Sequence, residues 1–573
     1  MGIMGEMESS LISKPKAKQS LLYRRPAKMI LLIILLFINH GYANNRLFWH
    51  DVRLDSEGKL LSWSEANSPY HEVVTRGWDM FKRIPVQPNG LKTYFIYPVF
   101  YGPKDSGKDL FAGRDWTHNP GGLFAMLTDA AMLYYAYSGD GNVMPLVRDM
   151  LDYSITHGST EPNDDWSGVP YASSDGGSVY YRGADDTRYD KDPRYRGRGD
   201  GVGFIEPDKV GEMGLAYLRF YEFSGEKKYL DAAEKCADAL VKHVQPGDDG
   251  NSPWPFRVDA KTGKIFKERY TSNTVGPIRL LDEMIKLRVG DSAAYQKTRQ
   301  IAWDWLMKYP MQNNVWTQYF EDIYIYPDYR TNINQYCPLE TARYLLEHPD
   351  CDKQWSEHAE KLIEWVRQKF AKNSTTMGGV HEKGIQWGAE VISEQINDMD
   401  KMTSHTSRYA SVLALFYEKT GDTNAMERAF RSFNWASYGC REDGLVKTSI
   451  DEGTGYWFSD GYGDYMRHFL RGMASVPRWA PPNENHLLKS SSVVRSIRYE
   501  ADKINYNTFD VESRELFKLA NQPAKVFAGN AELKAVKNIK LSDNCYSVGA
   551  VNGGGFAVRI GHNHSAEIVI YMR

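Results

Sequence analysis

The chain has 573 residues, of which 42% are apolar, 25% charged and 13% aromatic. That balance excludes a disordered or collagen-like chain. With 70 Lys and Arg against 73 Asp and Glu, the formal charge is −3, and no basic surplus points to nucleic acid as the partner.

Taken in chain order, residues 1–43 are expected to be an export signal. Six basic residues from Lys14 to Lys28 precede the apolar run Met29–Ile38, and Gly41-Tyr42-Ala43 puts small residues at the −3 and −1 positions. The run is too short for a bilayer span, and no Cys follows it closely, which argues against a bacterial lipoprotein. The expected location is periplasmic or secreted, with no membrane partner after cleavage. Cleavage removes six basic and two acidic residues and leaves a charge of −7. The five cysteines are odd in number and form no CxxC, so buried thiols are expected rather than a disulfide scaffold or thiolate zinc site.

Apolar periodicity then predicts twelve helices, near 71–84, 119–137, 143–156, 207–223, 228–243, 274–288, 293–308, 334–346, 353–370, 403–419, 424–437 and 462–474. Connectors such as Ser138-Gly139-Asp140 and Gly421-Asp422 join them in pairs. Glycine suits the left-handed end of one helix, and the acid suits the positive end of the next. Helices at 119–137, 207–223 and 403–419 are apolar or small on most faces, whereas those at 228–243, 293–308, 353–370 and 424–437 carry charge on one side. Helices apolar all round are buried. The even-numbered helices therefore form an inner ring, and the fold class is mainly α, an (α/α)6 toroid of six hairpins over residues 44–482. Links from inner to outer helices are short and the return links are long, so every long loop emerges beside the N-termini of the inner helices. Loops of that length are usually functional or disordered.

Pro481-Pro482-Asn483 ends the helical pattern. Residues 483–573 read as a small all-β, sandwich-like domain, from the period-two runs VVRSIRYEA, ELFKLA, AKVFAG, NIKLS, YSVGAV, FAVRIG and AEIVIYM.

The long-loop face supplies the candidate chemistry. Glu206 stands at the N-terminus of an inner helix, where the dipole favours the ionised form a base or nucleophile needs; a plain N-cap is the simpler role. Glu321 and Asp322 lie among aromatics, and apolar surroundings raise a carboxyl as a general acid requires. Asp185, Asp186 and Glu394 are further catalytic candidates, with solvated loop charges or a calcium site as the bland alternatives. Tyr319 and His405 are candidate bases for β-elimination. Trp166, Tyr181, Trp254, Trp316 and Trp387 are candidates for stacking on sugar rings, Arg198 and Arg257 for pairing with a carboxylate, and His118 for contact at an inner-helix start. No nucleophile elbow, P-loop, dinucleotide fingerprint or HExxH occurs. No cofactor and no metal is expected.

Several stretches resemble a known group of proteins. They are His118-Asn119-Pro120-Gly121-Gly122, Tyr181-Arg182-Gly183-Ala184-Asp185-Asp186, Gly199-Asp200-Gly201, Ile205-Glu206-Pro207-Asp208-Lys209, Ser252-Pro253-Trp254-Pro255-Phe256-Arg257, Tyr319-Phe320-Glu321-Asp322-Ile323, Ser393-Glu394-Gln395, Ser404-His405-Thr406 and Ser459-Asp460-Gly461-Tyr462-Gly463-Asp464. Together, over about residues 50 to 570, they resemble the six-hairpin glycosidase superfamily and, within it, the β-glucuronidase-type glycoside hydrolase family 154. The Arg114-Asp115 pair departs from that pattern, so Asp115 is not a candidate. The resemblance implies an exported, exo-acting glycoside hydrolase that releases a uronic acid, β-glucuronic acid in particular, from an acidic oligo- or polysaccharide. Two carboxylates would flank the scissile bond. A polysaccharide lyase on the same fold and a non-catalytic glycan-binding protein are the two alternatives.

Overall fold

A computed structural model describes residues 46–100, 111–113, 116–185, 201–265, 268–317, 333–371, 385–395, 398–448, 456–457, 459–537 and 544–572. The fold below is that of the compact unit Leu47–Arg573. The expected export signal lies outside the described residues.

Among the described residues there are twelve long helices: α1 Pro69–Lys82, α2 Pro120–Ser138, α3 Val143–His157, α4 Pro207–Ser224, α5 Lys227–His243, α6 Val275–Leu287, α7 Ser292–Lys308, α8 Tyr336–Glu347, α9 Trp355–Val366, α10 Thr403–Thr420, α11 Thr423–Ser437 and α12 Tyr465–Ser475. Proline opens α2 and α4 at their first positions, where its missing N–H costs no helical bond. The connectors behave as their sequence implies. Gly139 and Gly421 take φ of 72° and 81° to close α2 and α10. Asp291 and Asp422 accept amide hydrogen bonds that cap α7 and α11. Glu226 does not cap: it pairs with Arg148 and, at 3.3 Å, with Lys228.

Contacts run from α2 to α4, α6, α8, α10 and α12, and from α12 back to α2. Each even helix also packs on an odd one, with α12 pairing α1 to close the circle. The chain is thus an (α/α)6 toroid with the even helices inside. In α8 every residue but Glu347 is buried. In α5 burial follows one stripe, Tyr229, Ala232, Ala233, Cys236, Ala237 and Leu240, as an outer helix requires. Inner-to-outer links have two to seven residues and outer-to-inner links 27 to 49.

Two five-stranded sheets follow. One orders β1 (His486–Ser490), β4 (Ser513–Leu519), β9 (Phe556–His562), β8 (Cys545–Ala550) and β7 (Lys534–Ala535). The other orders β2 (Val494–Tyr499), β3 (Lys503–Thr508), β10 (Glu567–Met572), β5 (Pro523–Ala528) and β6 (Ala531–Glu532). Phe517, Val558 and Ile560 of one sheet meet Ile504, Val526 and Ile570 of the other in a core of their own, so the domain is a sandwich. The sequence reading missed β1, where only Leu487 and Leu488 are apolar, and β3, whose alternation rests on only two apolar residues, Ile504 and Tyr506. The NIKLS segment lies outside the described residues.

The sandwich sits against the C-terminal ends of the inner helices. The Tyr499 hydroxyl donates to the Ala136 carbonyl at 2.7 Å, Arg495 Nε to the Glu222 carbonyl at 2.7 Å, and His486 Nδ1 meets the Tyr137 carbonyl at 3.0 Å. Last-turn carbonyls have no helical partner, so these contacts satisfy groups that α2 and α4 leave open. The opposite end, with the helix N-termini and the long loops, is where a site can form. No disulfide joins the five cysteines, and burial pushes the thiols of Cys337 and Cys440 up to about 12.

Candidate active site

Side chains from five inner helices or their leading residues form one buried polar network at the N-terminal end of the ring. It begins at Glu206. This residue stands at the cap of α4, yet its side chain makes no capping hydrogen bond. It is fully buried, accepts Arg257 Nε at 3.2 Å, and lies 4.0 Å from Lys209 Nζ. The simple capping role does not describe it.

One residue past Pro207, Asp208 Oδ2 accepts Lys209 Nζ at 3.2 Å and Asn273 Nδ2 at 3.0 Å. The same Asn273 nitrogen donates to Glu212 Oε1 at 2.8 Å. One amide of the α6 leader thus ties together two carboxyls a turn apart on α4. Glu212 Oε1 also accepts the Tyr336 hydroxyl at 3.1 Å. Glu212 Oε2 is buried and has no hydrogen-bond partner among the described residues. Burial raises the Glu212 carboxyl; Lys209 opposes and Asp208 adds to this, and the net shift is upward. Glycine makes the space: a Cβ at Gly276 would meet Glu212 Cγ at 2.8 Å, and one at Gly122 would lie 3.6 Å from Oε2.

Tyr336 carries the network across the axis. The Arg408 guanidinium of α10 lies 4.5 Å from the centre of its ring. Arg408 donates to Gln335 Oε1 at 3.1 Å, to Asp464 and to His405 Nδ1 at 3.1 Å. Guanidinium cannot accept, so His405 Nδ1 does, and a neutral His405 holds its proton on Nε2, 3.9 Å from Glu394 Oε1. Asp464 also accepts Arg467 at 2.6 Å and His468 Nε2 at 3.1 Å. Burial pushes the Asp464 carboxyl up, but Arg408 and Arg467 outweigh it and hold the group well below the usual range.

A second carboxyl pair lies in the loop after α3. The Asp185 amide donates to Asp175 Oδ1 at 3.3 Å. Burial raises Asp175, with that hydrogen bond opposing.

Beneath the network, a cavity of about 610 Å³ runs down the ring axis from Glu212, Asn273 and Tyr336 to the sandwich residues 487–494. Arg219, Arg279, Arg343 and Arg471 are among its walls.

The structure brings Glu206, Arg257, His405 and Glu394 of the sequence candidates to this end, with Asp185 in the neighbouring loop segment. Glu321, Asp322, Tyr319, Asp186 and Arg198 lie outside the described residues. The expected stacking surface is corrected. Trp166 is buried with its ring 4.2 Å from that of His243, Trp254 Nε1 donates to the Leu240 carbonyl, and Trp316 is fully buried. Tyr181 is buried, donates to the Phe95 carbonyl and stacks on His118. These rings fill the packing between loops and helices and offer no open face. His118 is buried too; its Nε2 meets the Tyr94 carbonyl at 3.0 Å, and burial pushes its pKa down to about 4. Trp387 is half-buried at a hairpin turn with φ of 48°. Arg257 is committed to the protein's own Glu206 rather than set out for a substrate carboxylate. Beside Trp166, Asp165 pairs with Lys242 Nζ at 2.7 Å.

Sequence reading quoted Asp208 and Asp464 within the resembling stretches but gave them no role, and it missed Glu212, Asn273, Tyr336, Arg408 and Asp175. One local signal for Glu212 exists: Asp208 and Glu212 are spaced i,i+4, so they share a face of an inner helix.

No protein-family model matches the chain. No curated protein matches it either. Among solved structures, a D-mannose isomerase aligns with a TM-score of 0.52 at 12% identity, over 72% of this chain and 100% of its own. A cellobiose 2-epimerase from Bacillus thermoamylovorans B4167 aligns at 0.49 and 12%, over 70% and 97%. An unsaturated glucuronyl hydrolase specific for heparin aligns at 0.43 and 12%, over 71% and 96%. At such identities the first shows a shared toroid fold and nothing finer, and the other two carry no argument.

Proposed function

We propose that this chain is a carbohydrate-active enzyme, an exo-acting glycoside hydrolase that takes a uronic acid, β-glucuronic acid first among them, from an acidic glycan. The observation that carries the reading is the pair of unlike carboxyls at the N-terminal end of the ring. Glu212 is raised by burial. Glu206 is fixed by Arg257 and Lys209. Glycoside hydrolysis needs such a division: one carboxyl that holds its proton for the leaving oxygen, and one that is ionised to act as base or nucleophile. Glu212 is the proposed acid and Glu206 its ionised partner. The D-mannose isomerase that shares the toroid is, by its name, a sugar enzyme, which accords with this.

A β-elimination with His405 as base is less well supported. Arg408 occupies Nδ1, and the remaining nitrogen carries the proton.

The test is incubation of the purified protein with uronate-terminated oligosaccharides, followed by chromatography of the released sugar and ultraviolet absorbance of the products. Release of saturated uronic acid, lost in Glu212→Gln and Glu206→Gln, is expected. An unsaturated, absorbing product would make the protein a lyase. Binding without cleavage would make it a glycan-binding protein. Full activity in both variants would remove the assignment of these residues.

A further inference from the structure

A cluster of metal-ligating side chains lies at the opposite end of the ring, apart from the network above. His71 of α1, Glu484 of the connector and His486 of β1 each turn one ligand atom to a common point, and the three atoms lie within 4.8 Å of one another. Glu484 Oε2 is 3.0 Å from His486 Nε2 and 3.8 Å from His71 Nε2. A tetrahedral zinc ion with bonds of about 2.0–2.1 Å sets its ligand atoms about 3.3 Å apart, so small rotations of these side chains would close on one.

Hydrogen bonding orients both rings for this. His486 Nδ1 meets the Tyr137 carbonyl at 3.0 Å. A carbonyl only accepts, so Nδ1 carries a proton. His486 Nε2 then faces a carboxylate oxygen, and a positive charge must sit between the two, either a proton or a metal ion. A proton needs one donor and one acceptor. The third ligand, His71 Nε2, converging on the same point is what a metal needs. His71 Nδ1 is held by the Tyr137 hydroxyl at 2.8 Å, and the Tyr137 ring stacks on His486 at 3.9 Å. One residue therefore positions both imidazoles through their second nitrogens, the usual support of metal-bound histidine. The competing contact is weak: Thr75 Oγ1 lies 3.4 Å from His71 Nε2. The Glu484 side chain is 53% exposed, which gives an ion a way in and leaves a fourth position for water.

We propose that His71, Glu484 and His486 bind a divalent transition metal, with zinc favoured by two imidazoles and one carboxylate. His71 is separated from the other two ligands by more than four hundred residues of chain. The ion would fasten the first helix of the toroid to the first strand of the sandwich where the ring closes.

The experiment uses the whole protein with any affinity tag removed, equilibrated with zinc chloride, passed through gel filtration and assayed for metal content. One zinc per chain is expected, together with a melting temperature that rises with zinc concentration. In parallel, Co2+ should give the visible absorption of a four-coordinate ion. Glu484→Gln and His71→Gln should each weaken zinc binding at least tenfold while the circular dichroism spectrum is unchanged. Should a variant fail to fold, the cobalt spectrum of the unaltered protein decides alone. Less than a tenth of an equivalent of zinc, or equal binding in folded variants, would overturn the proposal and leave the trio as a proton-linked hydrogen-bond cluster.

Discussion

The two ends of the inner ring differ because helices have direction. At one end, amides without partners and the positive pole face outward. Glu206, Asp208 and Asp464 gather there, joined by Arg257, Lys209 and Arg408 in a buried network. At the other end, carbonyls face outward. The sandwich meets them with donors, the Tyr499 hydroxyl, Arg495 and His486. Parallel inner helices make these opposite demands regardless of the chemistry performed. The end that favours carboxylates is open to acid and base catalysis, and the end that needs donors is suited to a cap.

The largest effect expected from breaking this contrast is at Asp464. Asp464→Asn leaves Arg408 and Arg467 buried without their shared anion and should cost about 3–5 kcal/mol in denaturant unfolding. The folded Asp464 carboxyl titrates far below its ordinary value of 3.8. Its contribution is therefore present above about pH 3.8 and lost as pH falls toward the folded value. The gap between wild type and variant should narrow in acid; a gap independent of pH would show that Asp464 is not the group involved.

Gly276→Ala comes next. Its Cβ would press on Glu212 Cγ at 2.8 Å and should cost about 1–3 kcal/mol. Turnover should fall far more than stability, since the displaced group is the proposed acid. At the other end, Tyr499→Phe removes a hydroxyl that accepts the Leu487 amide and donates to the Ala136 carbonyl. A loss of about 1–2 kcal/mol with kcat unchanged is expected. A drop in kcat there would blur the division between the ends. Smallest is Lys489→Ala, which breaks a half-exposed pair with Glu418. It should change stability by less than about 1 kcal/mol, and that remainder should vanish in high salt.

The fold was legible because its signals are local. A repeated period, a glycine or acid in each connector, and a contrast between wholly apolar and one-sided helices suffice to order twelve helices into two rings. The candidate site was legible only in part. Glu206 shows itself by standing before Pro207 at a helix start. Glu212 has only its i,i+4 spacing from Asp208, and that pair reads as tolerated polar residues until Asn273 and Tyr336, 61 and 124 residues from Glu212, are brought against it. Arg408 and Asp464 meet across 56 residues for the same reason. Aromatic residues misled in the opposite direction. Trp166, Trp254 and Trp316 lie on long loops, but those loops are anchored by burying them.

The central claim is that the carboxylate-favouring end holds one carboxyl, Glu212, whose burial makes it keep its proton to higher pH than an ordinary glutamic acid. Infrared difference spectroscopy between wild type and Glu212→Gln reads this directly, without knowledge of the substrate. The account predicts that, in a titration, the wild type shows the carbonyl stretch of a protonated carboxylic acid, missing from the variant, that is still present above the ordinary value of 4.5 and fades as pH rises further. A difference spectrum containing only the bands of an ionised carboxylate would contradict it.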